Sequence, residues 1–279
     1  MHHHRYLRTH HAWMGLFLSL SCWCSAEVDA QPAAAPAVAP GAAAAADKSS
    51  STALPSAEEL LARIDKNRDF TSTTSTATMR IFVGTQERVK KMKIESLTAK
   101  RYSLVEFMNP EDKGTRYLMM GDNLWIYFPE EDDVVKISGH MLKEGMMGSD
   151  VSYEDALQGD TLSQKYALSV QGVESINGQP CYVLSLDAKV KEVPYEKRKM
   201  WVDQKHYIVW KEELYAKSGK LLKVSQVLEA KNVEGRTVPV KVEMRNMLKQ
   251  NTRTLFESED IRYNVNLSED RFSMQSLRR

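Results

Sequence analysis

The strongest candidate for covalent chemistry in this sequence is Gly148-Ser149-Asp150, where a serine stands between a glycine and an acid. A serine hydrolase would require His140 or His206 as its general base, with the serine on a Gly-x-Ser-x-Gly turn between a strand and a helix. The sequence lacks that turn, and the spacing of the histidines predicts no such contact. The serine and the acid have a simpler role as caps of a helix that opens near Tyr153, because their side chains accept hydrogen bonds from free amides. We therefore expect no catalytic residue and no enzyme.

Metal, cofactor and nucleic-acid sites are also hard to place on this chain. Five of the seven histidines lie among the first eleven residues, which leaves His140 and His206 for the rest of the chain and disfavours a histidine-based metal site. The sequence contains neither a glycine-rich loop that could bind a phosphate group nor cysteine pairs at the spacing of metal ligands. We therefore expect no cofactor. The formal net charge of +1 disfavours a nucleic-acid binder, which would carry a clustered basic excess.

The first thirty residues have the layout of a secretory signal peptide. Basic Arg5 precedes an apolar run from Trp13 to Leu20 that is too short to span a bilayer, which needs about 20 apolar residues. We predict cleavage after Ala30, with Ala26 as the alternative site. Lipidation at Cys22 stays open as a second way to hold the protein in the envelope. The expected location is the periplasm or the cell envelope.

The remainder of the chain divides into a linker and one domain. Residues 31–55 are nearly all Ala, Pro, Ser and Gly, which predicts a disordered linker, and residues 56–279 have the length of one sizeable domain. Cleavage after Ala30 would leave Cys181 as the single cysteine, so an internal disulfide is not expected. Cys181 lies in a strand-like apolar run, where we expect it to be buried.

Hydrophobic periodicity predicts an α+β fold that is mainly antiparallel sheet. Ser56 and Glu59 form a capping box in front of an apolar stripe, which predicts a short helix at the start of the domain. Strand signals then recur about every ten residues, with turns such as Asn177-Gly178 and Ser218-Gly219 between them. No helix-length segment separates successive strands, so we expect an antiparallel meander of about ten or eleven strands.

The segment from His140 to Leu157 interrupts this strand pattern. Methionines and a leucine lie there among glycines, and flexible methionine side chains suit a surface that adapts to irregular apolar ligands. Ordinary gap-filling in a core is the alternative. The residues predicted to form this flap or gate are Met141, Leu142, Met146 and Met147.

Aromatic residues supply the candidate lining of a cavity. In the run 124–128, Trp125 and Tyr127 share one face and three aliphatic or aromatic residues share the other, so both faces should be covered. Trp201 and Trp210 flank a predicted turn near one end of a hairpin. Core packing is the alternative role for each of these aromatics.

Four segments follow one another along the first half of the domain: Gly114–Leu118 (GTRYL), Gly121–Pro129 (GDNLWIYFP), Val135–Ser138 (VKIS) and Met147–Asp155 (MGSDVSYED). A closing segment, Leu267–Phe272 (LSEDRF), lies near the C-terminus. Together they resemble the outer-membrane lipoprotein-sorting protein family, the relatives of LolA.

The resemblance implies a strongly curved antiparallel half-barrel whose concave face is lidded by short helices around an apolar cavity. Such a cavity takes the acyl chains of lipoproteins or of another lipid. The residues expected to line it are Phe107, Leu118, Met120, Trp125, Tyr127, Trp201 and Trp210.

These observations predict a monomeric periplasmic carrier that sorts lipoproteins to the outer membrane. Its expected partners are acylated lipoproteins or phospholipid, with contact to an envelope membrane. A scaffold or adhesin with the same fold and a filled core is the main alternative, and a lipid hydrolase is a weaker one. An open apolar cavity would favour the carrier, and a serine bonded to a histidine would favour the hydrolase.

Overall fold

The computed structural model describes residues 54–67, 69–158 and 162–278. The predicted signal peptide 1–30, Cys22 and nearly all of the linker 31–55 lie outside the described residues, so those assignments stay predictions. The described residues contain one antiparallel sheet of thirteen strands. The strands are β1 Ser72–Val83, β2 Gln86–Leu97, β3 Tyr102–Phe107, β4 Arg116–Met120, β5 Asn123–Phe128, β6 Asp133–Ile137, β7 Tyr166–Ile176, β8 Gln179–Ala188, β9 Lys197–Asp203, β10 Val209–Tyr215, β11 Leu221–Val233, β12 Arg236–Asn246 and β13 Thr252–Tyr263.

The number of strands corrects the prediction of ten or eleven. Some turns carry no glycine, proline or asparagine and therefore leave no signal in the sequence. The connection between β2 and β3 is an example, because Arg101 there takes a left-handed conformation with φ of 58°. The hairpins that do carry such signals, at Asn177-Gly178 and Ser218-Gly219, were predicted and are confirmed.

Short helices accompany the sheet. The capping box at Ser56 is confirmed in part: its hydroxyl accepts a hydrogen bond of 3.0 Å from the Glu59 amide, and the helix begins at the next residue. Among the described residues, no helix is long and apolar enough to cross a membrane. The helices are α1 Ala57–Lys66, α2 Tyr153–Leu157, α3 Leu162–Lys165 and α4 Met274–Leu277, with 3-10 turns at Thr98–Lys100, Pro110–Asp112, Gly139–Lys143, Met146–Gly148 and Glu269–Phe272.

The order of the strands places the two middle strands of the sequence at the two edges of the sheet. The order is β6-β5-β4-β3-β2-β1-β13-β12-β11-β10-β9-β8-β7, so the first and last strands pair at the centre and the sheet stays open. The chain must therefore pass from one edge to the other between β6 and β7. The crossing segment links these strands, and its described parts, 138–158 with α2 and 162–165 with α3, cover part of one face of the sheet, which we call the inner face.

The inner face carries two apolar clusters. Over β1 to β6 the cluster includes Met79, Phe107 and Ile126, and the crossing segment covers it with Met146 and Leu157. Over β7 to β9 the second cluster lies beneath α1, whose buried residues are Ala57, Leu60, Leu61 and Ile64. Each half of the inner face is thus kept from water by a segment of the chain itself.

The opposite, outer face is covered over β3 to β6 by the C-terminal segment 267–277. Phe272 and Leu277 pack there against Leu118 and Tyr127. Arg271 holds the segment in place, because its Nε and Nη2 donate to Oε2 of the buried Glu95 at 2.8 and 2.5 Å. Burial works to raise the pKa of Glu95, but hydrogen bonds from Lys93 and Arg271 outweigh it and lower that pKa.

We expect Phe272→Ala to lower the free energy of unfolding by about 3 to 5 kcal/mol, because Phe272 is 2% exposed and its loss leaves a cavity. Met274→Ala is the matched control, since Met274 in the same segment is 41% exposed, and it should cost less than about 1 kcal/mol. Urea unfolding measures both. Equal effects of the two substitutions would show that the C-terminal segment does not cover the sheet.

Candidate functional site

A cavity of about 170 Å³ lies between α1 and the inner face of the sheet. Its wall combines residues from α1, from α3 and from seven strands. The lining residues are Ile64, Asn67, Phe70, Thr73, Ser75, Ile94, Gln158, Leu162, Arg198, Met200, Tyr207, Ile208, Val209, Glu212, Ser225, Val227, Thr237, Val238, Pro239, Val242, Ile261 and Tyr263.

The lining shows that the sheet is curved. Ile94 on β2 and Met200 on β9 both line this one cavity, although six strand positions separate β2 from β9. In a flat sheet with strands about 4.8 Å apart, these strands would lie about 29 Å from each other. The sheet must therefore bend around the cavity, and its inner face is the concave one, as the resemblance implied.

Alternation along the strands places aliphatic side chains in the wall. Val227 on β11 and Val242 on β12 lie directly opposite each other in the ladder, and both are buried. Met200 on β9 and Ile261 on β13 extend this apolar surface to either side, and Ile64 faces it from α1. The central part of the cavity can therefore accept apolar groups.

One end of the cavity, which we call the mouth, lies where α1 ends and β12 begins. Asn67, Phe70, Tyr207, Thr237 and Tyr263 lie there, and all are only partly buried. The rings of Phe70 and Tyr263 contact each other in a tilted arrangement, with their centroids 4.9 Å apart. Aromatic rings and single polar groups thus form the boundary between the apolar wall and solvent.

The other end of the cavity is polar. Arg198 is buried, and its Nε and Nη2 lie 2.7 and 2.6 Å from Oε1 of Glu212 on the neighbouring strand. Its Nη1 donates to Oε1 of Gln158 at 3.0 Å. Burial works to lower the pKa of Arg198, but the Glu212 carboxylate more than offsets it and raises that pKa, so the arginine stays charged.

A network of hydrogen bonds and ion pairs continues from Gln158 through Asp155 on α2 to Lys223 on β11. Gln158 Nε2 donates to Oδ1 of Asp155 at 3.2 Å, and Tyr195 Oη donates to the same oxygen at 2.6 Å. Lys223 on β11 forms an ion pair with Asp155 and donates to Ser152 Oγ at 3.1 Å. The network fixes α2 to β11 and supports the polar end of the cavity.

The arrangement that a serine hydrolase needs is not formed at Ser149. Ser149 is 1% exposed, and its Oγ donates to the carbonyl of Val151 at 3.1 Å. The cap of α2 is Ser152 rather than the predicted Gly148 to Asp150, because Ser152 accepts from the Asp155 amide and forms the capping box. His206 lies elsewhere, with Nδ1 3.3 Å from Thr237 Oγ1.

Six of the seven residues predicted to line a cavity lie on the outer face. Leu118, Met120, Trp125 and Tyr127 pack beneath the C-terminal segment. The prediction that both faces of the run 124–128 are covered is confirmed, since Leu124 and Ile126 belong to the inner cluster.

The two other predicted tryptophans pack against the outer face of the opposite half. Trp201 and Trp210 form a cluster there with the buried Cys181, whose predicted burial is confirmed. Trp201 Nε1 donates to Oε2 of Glu174 at 2.6 Å. The outer position follows from strand alternation, because the neighbours Met200 and Val202 point inward.

Phe107 and the flap residues lie on the inner face, but away from the cavity. The Phe107 ring packs against Tyr117 with centroids 5.0 Å apart. The predicted flap residues cover the same cluster, and of these Met146 is fully buried. The members of the flap that pack there are Met141, Leu142, Met146 and Met147.

The cavity between α1 and the inner face is therefore lined by residues other than the predicted ones. Lipid binding by the predicted residues stays a prediction. The prediction selected mainly large aromatic residues for the lining. It did not include Val227 and Val242, because they look like any other apolar residues of alternating strands. The apolar stripe of α1, with Ile64, was the one signal in the sequence that pointed to this region.

An open, curved antiparallel sheet that encloses a cavity beneath a helix defines a fold class, and solved structures share it. A DUF1329 family protein from Desulfovibrio piger matches with a TM-score of 0.74 and 27% identity over 78% of this chain and 96% of its own. A putative outer membrane lipoprotein-sorting protein domain from Vibrio parahaemolyticus matches with a TM-score of 0.71 and 25% identity over 80% and 100%.

A LolA superfamily protein from Nitrosomonas europaea has the same fold, with a TM-score of 0.65 and 23% identity over 80% of this chain and 100% of its own. A family model described as that of an uncharacterized protein matches residues 99–279. No curated protein matches the sequence significantly. The chain belongs to the family that this model describes, and it shares the fold of the LolA-like structures.

We expect Lys223→Met to lower the free energy of unfolding by about 3 to 5 kcal/mol, because it leaves the buried Asp155 carboxylate without its ion-pair partner. Lys220→Met is the matched control, since Lys220 lies in the exposed turn before β11, and it should change stability by less than about 0.5 kcal/mol. Denaturant unfolding gives both values. A Lys223→Met protein as stable as the control would contradict the anchoring role of the network.

Proposed function

We propose that this protein is a non-enzymatic carrier that binds an acyl chain in the cavity between α1 and the inner face of the sheet. The observation that supports it best is the cavity itself, whose wall includes Ile64, Val227 and Val242. Each methylene moved from water into such a wall stabilises the complex by about 0.8 kcal/mol. The gain grows with the number of methylenes that the cavity can take up, before the costs of binding.

The size of the cavity favours one chain rather than several. An apolar cavity of about 150 Å³ accommodates a benzene ring, so about 170 Å³ corresponds to part of a single alkyl chain. The remainder of a longer chain would lie along the mouth, between Tyr207 and Tyr263. Binding of a second chain would require α1 or the crossing segment to move.

The similarity to described relatives supports a role in lipoprotein sorting. The Vibrio parahaemolyticus domain is described as a putative outer membrane lipoprotein-sorting protein domain, and it aligns over its whole length with this chain. We propose that the present protein works in the periplasm after export, as a monomer that takes acylated lipoprotein or phospholipid from one envelope membrane and delivers it to another. Transfer would follow differences in affinity and would need no covalent step.

We expect Val227→Trp to weaken binding of N-phenyl-1-naphthylamine by about tenfold or more, because the indole would occupy the space that the apolar probe takes. Val173→Trp is the matched control, since Val173 lies on the edge strand β7 and is 49% exposed. It should leave binding within about twofold. Probe fluorescence gives the affinities, and thermal unfolding confirms that both variants are folded.

Two outcomes would contradict the proposal. A folded Val227→Trp protein that binds the probe as tightly as the parent would remove the cavity as the binding site. A parent that binds neither the probe nor a fluorescent fatty acid would favour the scaffold with a filled core.

A further inference from the structure

The ion pair at the polar end of the cavity, between the buried Arg198 and the half-buried Glu212, has no role in binding a plain hydrocarbon chain. Arg198 and Glu212 both line the cavity, where they are the charged residues of the lining, and Gln158 lies beside them. An ion pair taken out of water is commonly no more stabilising than apolar residues of the same size. A methyl end pressed against this pair would also displace water without replacing its hydrogen bonds.

The pair offers hydrogen-bonding capacity toward the cavity. Nε of Arg198 donates to Oε1 of Glu212 and Nη2 lies 2.6 Å from the same oxygen, whereas no hydrogen bond from the described residues reaches Oε2. Ser225 lies directly opposite Glu212 in the ladder between β10 and β11, and it also lines the cavity. A carboxylate oxygen accepts and a serine hydroxyl both donates and accepts, so together they match a group that does both.

The charge of the pair selects against an anionic group. Arg198 and Glu212 neutralise each other, and Glu212 would repel a second carboxylate placed beside it. An uncharged hydroxyl avoids that repulsion and loses less hydration on entering the cavity.

We propose that the cavity takes a single-chain amphiphile head first, with an uncharged hydroxyl at its end bound between Arg198, Glu212 and Ser225. The alkyl chain then runs along Met200 and Val227 toward the mouth. This inference rests on the proposed function, because it uses the same cavity, and it adds a further class of ligand: a single chain with an uncharged hydroxyl end, such as a fatty alcohol or a monoacylglycerol.

The test compares dodecan-1-ol with dodecanoate, which have the same chain length and differ in charge. Each ligand displaces N-phenyl-1-naphthylamine from the parent protein and from Glu212→Gln. The parent should bind the alcohol more tightly than the carboxylate. Glu212→Gln removes the repelling charge and leaves Arg198 to pair with the ligand, so the affinity for dodecanoate should rise by about tenfold.

Glu213→Gln is the matched control, because Glu213 is the next residue on β10 and points to the outer face, where it pairs with Lys211. It should leave the preference for the alcohol unchanged. An unchanged preference in Glu212→Gln would overturn the head-first assignment while leaving the carrier intact. Failure of the parent to bind the naphthylamine probe would overturn the proposed function and this inference together.

A second variant covers the case in which Glu212→Gln does not fold. Arg198→Met combined with Glu212→Leu replaces the ion pair by apolar side chains of similar size, a change that commonly preserves stability. This protein should bind the naphthylamine probe as the parent does, but bind dodecan-1-ol about tenfold more weakly. Equal binding of the alcohol by the parent and the double variant would also overturn the inference.

Discussion

Over its strands β3 to β5 the open sheet must be kept from water on both faces, and the rest of the structure depends on how the chain covers them. Over β3 to β5 the strands are apolar on each side, so neither face can be left exposed. The covering segments are short: α2 has five residues and α4 has four. Helices of this length are unstable alone in water, so tertiary contacts must hold them in place.

Buried polar contacts hold the covering segments against the sheet at a few positions. Asp155 binds Lys223 at the end of the crossing segment, and Arg271 binds Glu95 on the outer face. Between them, Asp150 accepts hydrogen bonds from the hydroxyls of Thr252 and Thr254 at 2.7 and 2.9 Å. The contacts of Asp150 and Asp155 fix the crossing segment, which covers the apolar cluster over β1 to β6, and the cavity remains in the other part of the inner face, where α1 is the main cover. The part of the inner face that the crossing segment leaves uncovered is thus the site proposed for the lipid.

The sequence predicted the features of the fold that depend on neighbouring residues. It did not predict the features that depend on contacts between residues far apart in the chain. The capping residue Ser56, the hairpin at Asn177-Gly178 and the two-sided burial of the run 124–128 each depend on neighbours in the chain, and all were predicted correctly. The cavity depends on the pairing of β1 with β13 and on the bend of the sheet, which join residues far apart in sequence. Alternation shows that Trp201 and Met200 point to opposite faces, but it does not show which face is concave. The large aromatics therefore lie on the side of the sheet opposite this cavity, and the small residue Ser225 carried no signal in the sequence.

The central claim is that the inner face beneath α1, rather than the aromatic outer face, is where the protein binds an alkyl chain. A crystal structure of the protein with a terminally brominated dodecanol tests it most directly, because anomalous scattering locates the bromine without ambiguity. We predict bromine density at the mouth, near Asn67 and Thr237, with the alkyl chain continuing inward along Val227. Bromine density on the outer face beside Trp125 or Trp201, with the inner cavity empty, would contradict the account.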